Sequence, residues 1–219
     1  MKYFSMTLLF TLLICFNINA QKGKVTKGYI IDNEGNKIEG YVQIQKDEIE
    51  YMVKVRFNEN MKAKKYTSFK PKDISGYGFV EVRQNNMSED YDHVREFIKY
   101  ELDRPAKLFA ANTSFIEKIV DGTLEIYQFN YETAANVENP VSIRYIVLQS
   151  GEEIAQIEES KFAESSRAVF AGYTALIDSL GKLNFKFANF PRLVEDYNYW
   201  LLNKHDPATY KMNPIIFNQ

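Results

Sequence analysis

Glu89-Asp90-Tyr91-Asp92-His93 is the densest run of hard ligands in the sequence. Several carboxylates on one segment can collect Ca²⁺, which takes about six to eight oxygen donors. On that chemistry Glu89, Asp90 and Asp92 are the candidate metal ligands. The run lacks the glycine and terminal glutamate of a calcium loop, and a solvated acidic loop accounts for it more simply. His93 and His205 are the only histidines. A histidine triad or a multi-histidine zinc site therefore has little to draw on, and His205, beside Asp206-Pro207, suits the end of a helix. No G-x-S-x-G elbow, Walker loop or dinucleotide fingerprint occurs. The 29 acidic residues always allow some carboxylate pair for glycoside hydrolysis, but their spacing nominates none. Ser165-Ser166-Arg167 reads as a helix cap.

A second chemistry is aromatic. Tyr77-Gly78-Phe79, with Tyr29 and Tyr41, could build a flat ligand-binding strip, because glycines beside rings let a sugar or an extended peptide approach the backbone. The competing reading buries these rings beneath C-terminal helices. Fifteen Tyr and 16 Phe favour burial in general, since aromatics suit strands and supply core area.

The chain also carries an address. Lys2, an apolar run from Met6 to Phe16, and Ala20 before Gln21 form the layout of a secretory signal peptide over 1–20. That run is too short to span a bilayer, for which about 20 apolar residues are needed. Cys15, the sole cysteine, lies inside it after bulky Ile14, a poor setting for lipidation. The mature chain is then free of thiols, and disulfides, cysteine nucleophiles and thiolate metal sites drop out. Without Lys2 it carries 26 basic and 29 acidic residues, a net charge of −3. With no basic stripe, nucleic acid is not an expected partner.

The elements that would hold these residues begin with a hairpin. Gly28–Asp32 and Ile38–Gln45 flank Asn33-Glu34-Gly35-Asn36, whose residues tolerate a positive φ. The patterning predicts further strands over Tyr51–Phe57, Tyr66–Phe69, Ile74–Val82 and Arg95–Leu102, with 83–93 as an exposed loop. Asp121-Gly122 between Phe115–Val120 and Thr123–Tyr131 signals a second hairpin, although Phe115 and Ile119 could share a helix face. Gln149-Ser150-Gly151-Glu152 marks a third, between Val141–Leu148 and Glu153–Ile157. After Glu158 the period lengthens. Phe162, Val169, Phe170, Tyr173, Leu176, Ile177 and Leu180 predict one amphipathic helix that ends at Gly181. Leu193, Val194, Tyr197, Trp200 and Leu201 predict a second, from about Pro191 to Asp206-Pro207. Ile215-Ile216-Phe217 could dock back onto the body. The fold class is α+β: an antiparallel β-rich region over 21–158, a meander or partly open barrel, followed by a helical region over 159–219 packed on it.

Four stretches together resemble a family. They are Lys27–Ile31 with Ile38–Val42, Tyr66 through Asp73-Ile74-Ser75-Gly76-Tyr77, Phe115–Gly122 with Leu124–Tyr127, and Leu193-Val194-Glu195-Asp196-Tyr197-Asn198. In order and spacing they look like the uncharacterised exported proteins common in Bacteroidetes. The resemblance implies periplasmic, outer-membrane-surface or extracellular placement and brings no activity with it. Some such proteins continue into an outer-membrane barrel, a role not expected here. The expected function is a non-enzymatic binding or structural module that holds an envelope protein or glycan on a β surface. No cofactor is expected, Ca²⁺ at the acidic run apart. The alternative is a hydrolase acting on envelope polymers or glycans.

Overall fold

Asp32 shapes the first turn: its carboxylate accepts hydrogen bonds from the backbone N–H groups of Glu34 and Asn36 at 2.9 and 2.8 Å. Gly35 sits there at φ +88°, where an L side chain would be strained. The turn joins β1 (Val25–Ile31) to β2 (Lys37–Gln43), with Tyr29 opposite Glu39. A computed structural model of the chain describes residues 24–84, 89–102, 112–132 and 141–203. The signal segment, Arg104-Pro105, His205 and Ile215–Phe217 lie outside them.

The strands continue as β3 (Val55–Asn58), β4 (Thr67–Phe69), β5 (Gly76–Gln84), β6 (Asp90–Glu101), β7 (Thr113–Val120), β8 (Leu124–Glu132), β9 (Val141–Gln149) and β10 (Glu152–Glu158). All ten form one antiparallel open sheet in the order β10-β9-β8-β7-β6-β5-β1-β2-β3-β4. The β-rich body followed by helices is the α+β architecture expected. The meander is broken once, where β5 returns to pair with β1 and places Gly28 opposite Phe79 and Tyr29 opposite Gly78. These glycines are steric necessities: a Cβ on Gly28 would lie 2.5 Å from the Gly78 carbonyl oxygen, and one on Gly78 would lie 2.6 Å from the Tyr29 ring. The far half of the sheet coils. Tyr100 on β6 donates its hydroxyl proton to Glu153 on β10, four strands away.

Three expectations are corrected. Residues 51–53 belong to a short helix, α1 (Glu48–Val53), and not to a strand. Asp47 caps it by accepting from the Ile49 N–H at 2.9 Å, and Glu48 and Glu50 in the first turn favour its N-terminal dipole. Second, Glu89-Asp90-Tyr91-Asp92-His93 is not a loop. Asp90–His93 begin the twelve-residue β6, in register with β5 from Gln84↔Asp90 onward, and Glu89 immediately precedes them. This end of the hairpin extends past its neighbours, so both faces meet water and its composition turns polar. Third, the first C-terminal helix is two, α2 (Phe162–Val169) and α3 (Thr174–Ile177), separated around Gly172 at φ +88°. Ser165 bonds the Lys161 carbonyl from within the helix, and Ser166 is buried, so neither caps it. The second of these helices ends at Ile177, and turn residues carry the chain on to Gly181 at φ +85°. The final helix, α4 (Phe190–Asn203), is present, and Phe115–Val120 is strand.

Two apolar clusters hold the fold. One gathers Val120, Leu124, Ile126, Tyr145, Val147 and Ile157 of the sheet beneath α2, α3 and α4. Asn198 of α4 ties this cluster to the start of β8, bonding both the N–H and the C=O of Leu124 at 2.8 Å. The other centres on Tyr77 and Phe97, stacked at 4.5 Å, with Phe115 edge-on to Tyr77 at 4.9 Å. Tyr51 of α1 lies against Phe79 and Phe97 at 5.4 and 5.7 Å. The Tyr77 hydroxyl donates to the Tyr51 carbonyl and Ser114 donates to that of Met52, which fixes the C-terminal half of α1 to the sheet. Phe97→Ala removes the middle ring of this stack and should cost about 3–5 kcal/mol, read as a lower urea midpoint. Val82→Ala, on the exposed hairpin, should change stability by no more than about 0.5 kcal/mol.

Candidate functional site

Tyr77 and Phe79 are fully buried beneath α1, so the four aromatic residues do not form one exposed strip. Nor do these two rings lie under the C-terminal helices. Strand alternation separates the set: Tyr77 and Phe79 share the α1 face with Ile30, while Tyr29 and Tyr41 lie on the other. There the half-buried Tyr29 donates to Glu96 at 2.6 Å, covers Gly78, and lies beneath the Lys37 ammonium at 3.9 Å. Burial, and then the Glu96 hydrogen bond, push its phenol well above the usual tyrosine range. Glu89, Asp90 and Asp92 lie at the exposed start of β6, and among the described residues no three His, Asp or Glu side chains converge as a metal site.

The structure assembles a different constellation on the α1 face. Arg95, on β6 and 2 % exposed, is gripped by two carboxylates from separate elements. Its Nε and Nη2 donate to Glu117 of β7, both at 2.6 Å, and Nη2 and Nη1 donate to Glu48 of α1 at 2.6 and 3.2 Å. The guanidinium also stacks 4.7 Å from the Tyr51 ring and 5.3 Å from that of Phe97. Burial alone would favour a neutral guanidine, but the hydrogen bonds it donates to Glu117 and Glu48 outweigh it and hold the charge more firmly than in water.

Beside this group opens a cleft of about 310 Å³, lined by Glu48, Arg83, His93, Arg95, Glu117 and Ile119, with Lys118, Gln128 and Asn130 completing the wall. Its origin is a strand irregularity. β6 pairs β7 only from Phe97 to Glu101, and the register of β7 on β8 slips between Lys118 and Val120. β6 and β7 therefore diverge like a fork, with Arg95 and Glu117 at the crotch. A bulge of this kind redirects side chains and ends pairing. Along the upper arm, residues 90–95 of β6 pair with β5 on one side and, among the described residues, with no strand on the other. His93 in the cleft is held below the usual imidazole range by burial and by Arg83.

No protein-family model, curated protein or solved structure matches the chain. The roles of its residues rest on geometry and chemistry alone. Of the cleft, the sequence singled out only His93, as part of the acidic run. Arg95, Glu117 and Glu48 went unmarked, because two strands and a helix far apart in the chain bring them together. One signal was available for Glu48: Asp47-x-x-Glu50 has the spacing of a helix-capping box.

Two outcomes follow. Arg95→Met strands the buried Glu117 and should cost about 3–5 kcal/mol in urea unfolding, whereas Arg95→Met with Glu117→Leu should recover most of that loss. For Tyr29, whose proton is held more tightly in the native chain, the stabilising contribution is complete below pH 10 and declines as pH rises beyond it. Tyr29→Phe should make the alkaline loss of thermal stability shallower, measured by melting between neutral pH and the onset of base unfolding.

Proposed function

We propose that the protein is an exported binding module of the cell envelope or extracellular space, and that it receives an extended polypeptide segment along the open arm of β6. The observation that carries this reading is the fork: beside a polar cleft, residues 90–95 of β6 have one edge that pairs with no strand among the described residues. A free strand edge is a template for main-chain hydrogen bonding, and adjacent pockets for alternate side chains supply selectivity. Val94, 56 % exposed on the same arm and opposite Val80 of β5, and the exposed Val82 two residues farther along β5 offer apolar contact to an incoming chain. Export rests on the signal-like segment 1–20 and on the resemblance to exported proteins of Bacteroidetes.

Polymer hydrolysis draws less from the site. Glu48 and Glu117, the carboxylates lining the cleft, both accept hydrogen bonds from Arg95, an arrangement suited to holding a structure rather than to passing protons. The outward Tyr29 and Tyr41 leave a glycan as the other partner class.

The test is hydrogen exchange on the mature protein, mixed in turn with a library of short unstructured peptides and with a panel of envelope glycans. Peptide binding should slow exchange of the β6 amides between Tyr91 and Arg95 by about tenfold or more, equivalent to about 1.4 kcal/mol of local stabilisation. Protection around Tyr29 and Tyr41 by a glycan, with β6 unaffected, would overturn the peptide reading. Release of a small product from a glycan would replace it with the hydrolase.

A further inference from the structure

We infer that the cleft at the fork receives an uncharged carboxamide, the side chain of an Asn or Gln in the bound segment; this rests on the peptide reading above and names the side chain it prefers. The charged groups around the cleft satisfy one another. Both carboxylates in its wall, Glu48 and Glu117, are occupied by Arg95, each of their oxygens accepting from it. Arg83 donates to Glu81 at 2.7 Å, and Lys118 is held by Glu125 at 2.7 Å and Asp121 at 3.2 Å. A further charge of either sign would lose hydration without finding an unspent counter-ion. The open valences belong instead to two amides. Gln128 and Asn130 share one face of β8, and Gln128 Nε2 donates to Asn130 Oδ1 at 2.9 Å. That bond leaves the Gln128 carbonyl oxygen and the Asn130 NH2 group with no other hydrogen-bond partner among the described residues. Asn130 is 4 % exposed and lines the cleft, so the cleft is where its donors are met. A primary carboxamide supplies both complements at once: its carbonyl accepts from Asn130 and its NH2 donates to Gln128. Water can be displaced from such a pair without loss only by a group that restores both bonds.

Strand geometry brings a side chain to this place. Lys99 donates its N–H to Ser75 on the β5 side of β6, and Leu102 donates to Asn112 on the other side. Alternation then turns the main-chain groups of Asp92 and Val94 to the open edge. A strand added against them follows the same pleat, so its residues level with His93 and Arg95 present their side chains on the α1 face, over the cleft. The one level with Arg95 stands at the crotch, beside Glu117, whose cross-strand partner is Gln128. Ile119, 36 % exposed, adds an apolar wall against which the methylenes of a glutamine can lie.

The test uses the mature protein and unstructured peptides identical except for one central residue, Gln, Met, Glu or Lys. The Gln peptide should bind about tenfold more tightly than the Met peptide, which has a similar shape and no amide. The Glu and Lys peptides should bind no better than the Met peptide. Gln128→Met should reduce the affinity of the Gln peptide to that of the Met peptide, with protection of β6 by the bound peptide confirming a folded fork. As a probe independent of strand addition, propionamide should shift the NMR signals of the Gln128 and Asn130 side-chain NH2 groups in the native protein, and propionate and propylammonium should not. Equal binding of the Gln and Met peptides, with β6 protected in both cases, would overturn the carboxamide preference and leave the peptide reading intact. A response to propionamide with no peptide protecting β6 would keep the chemistry of the cleft and remove strand addition. Tighter binding of the Glu or Lys peptide than of the Gln peptide would overturn the inference outright.

Discussion

The contact on which the structure turns is the guanidinium of Arg95 between Glu117 and Glu48. A charge this far from water is tolerable only if its donors are met, and two carboxylates from different elements meet them. One belongs to the neighbouring strand and the other to α1. The triad therefore determines how the N-terminal turn of α1 lies on the sheet, just as the Tyr77 and Ser114 hydroxyls determine it for the C-terminal turn. With α1 held, Tyr51 is pressed onto Phe79 and Phe97 and the central core closes. Replaced by an apolar side chain of similar volume, this position could pack as well. Retention of the ion pair at the crotch of the fork gives the cleft its polarity.

The two faces of the sheet have separate duties. The α1 face is covered in two places, by α1 over the central strands and by the C-terminal helices over β7 to β10, with the cleft opening beside α1. The opposite face becomes concave as the sheet coils, and the Tyr100–Glu153 contact fastens β6 to the last strand across it. Tyr29 stands on this face, over the glycine that admits it.

The positions of most strands and of three hairpins were legible in the sequence, because period-two patterning and the turn residues at Gly35, Gly122 and Gly151 are local signals; the β5–β1 pairing was not. Also legible was α4, whose apolar face repeats over fourteen residues. The short helix Glu48–Val53 was misread because Tyr51, Val53, Val55 and Phe57 alternate across a helix end and a strand start, and the period continues through the change of geometry. The acidic stretch before Val94 was misread because a hairpin that reaches past its sheet loses its buried face and with it the alternation. The cleft could not be read at all. It depends on a register slip at Ile119 and on the distance at which two strands part, and residue types encode neither.

Among the ten strands, β1 and β5 form the one pair that is not consecutive along the chain. Every other ladder can zip as the polypeptide lengthens, so the slow conformational search is concentrated in a single closure, with the entropy of one long loop to overcome. Until β5 arrives, β1 waits with one edge bare, and the ring of Tyr51 has neither Phe79 nor Phe97 to lie against. The described fold is thus two polypeptide segments, β1–β4 with α1 and the elements from β5 onward, joined along the β1–β5 ladder and where α1 lies on β5, β6 and β7. A chain cut between Phe69 and Gly76 would still hold all the side chains needed for its halves to find each other.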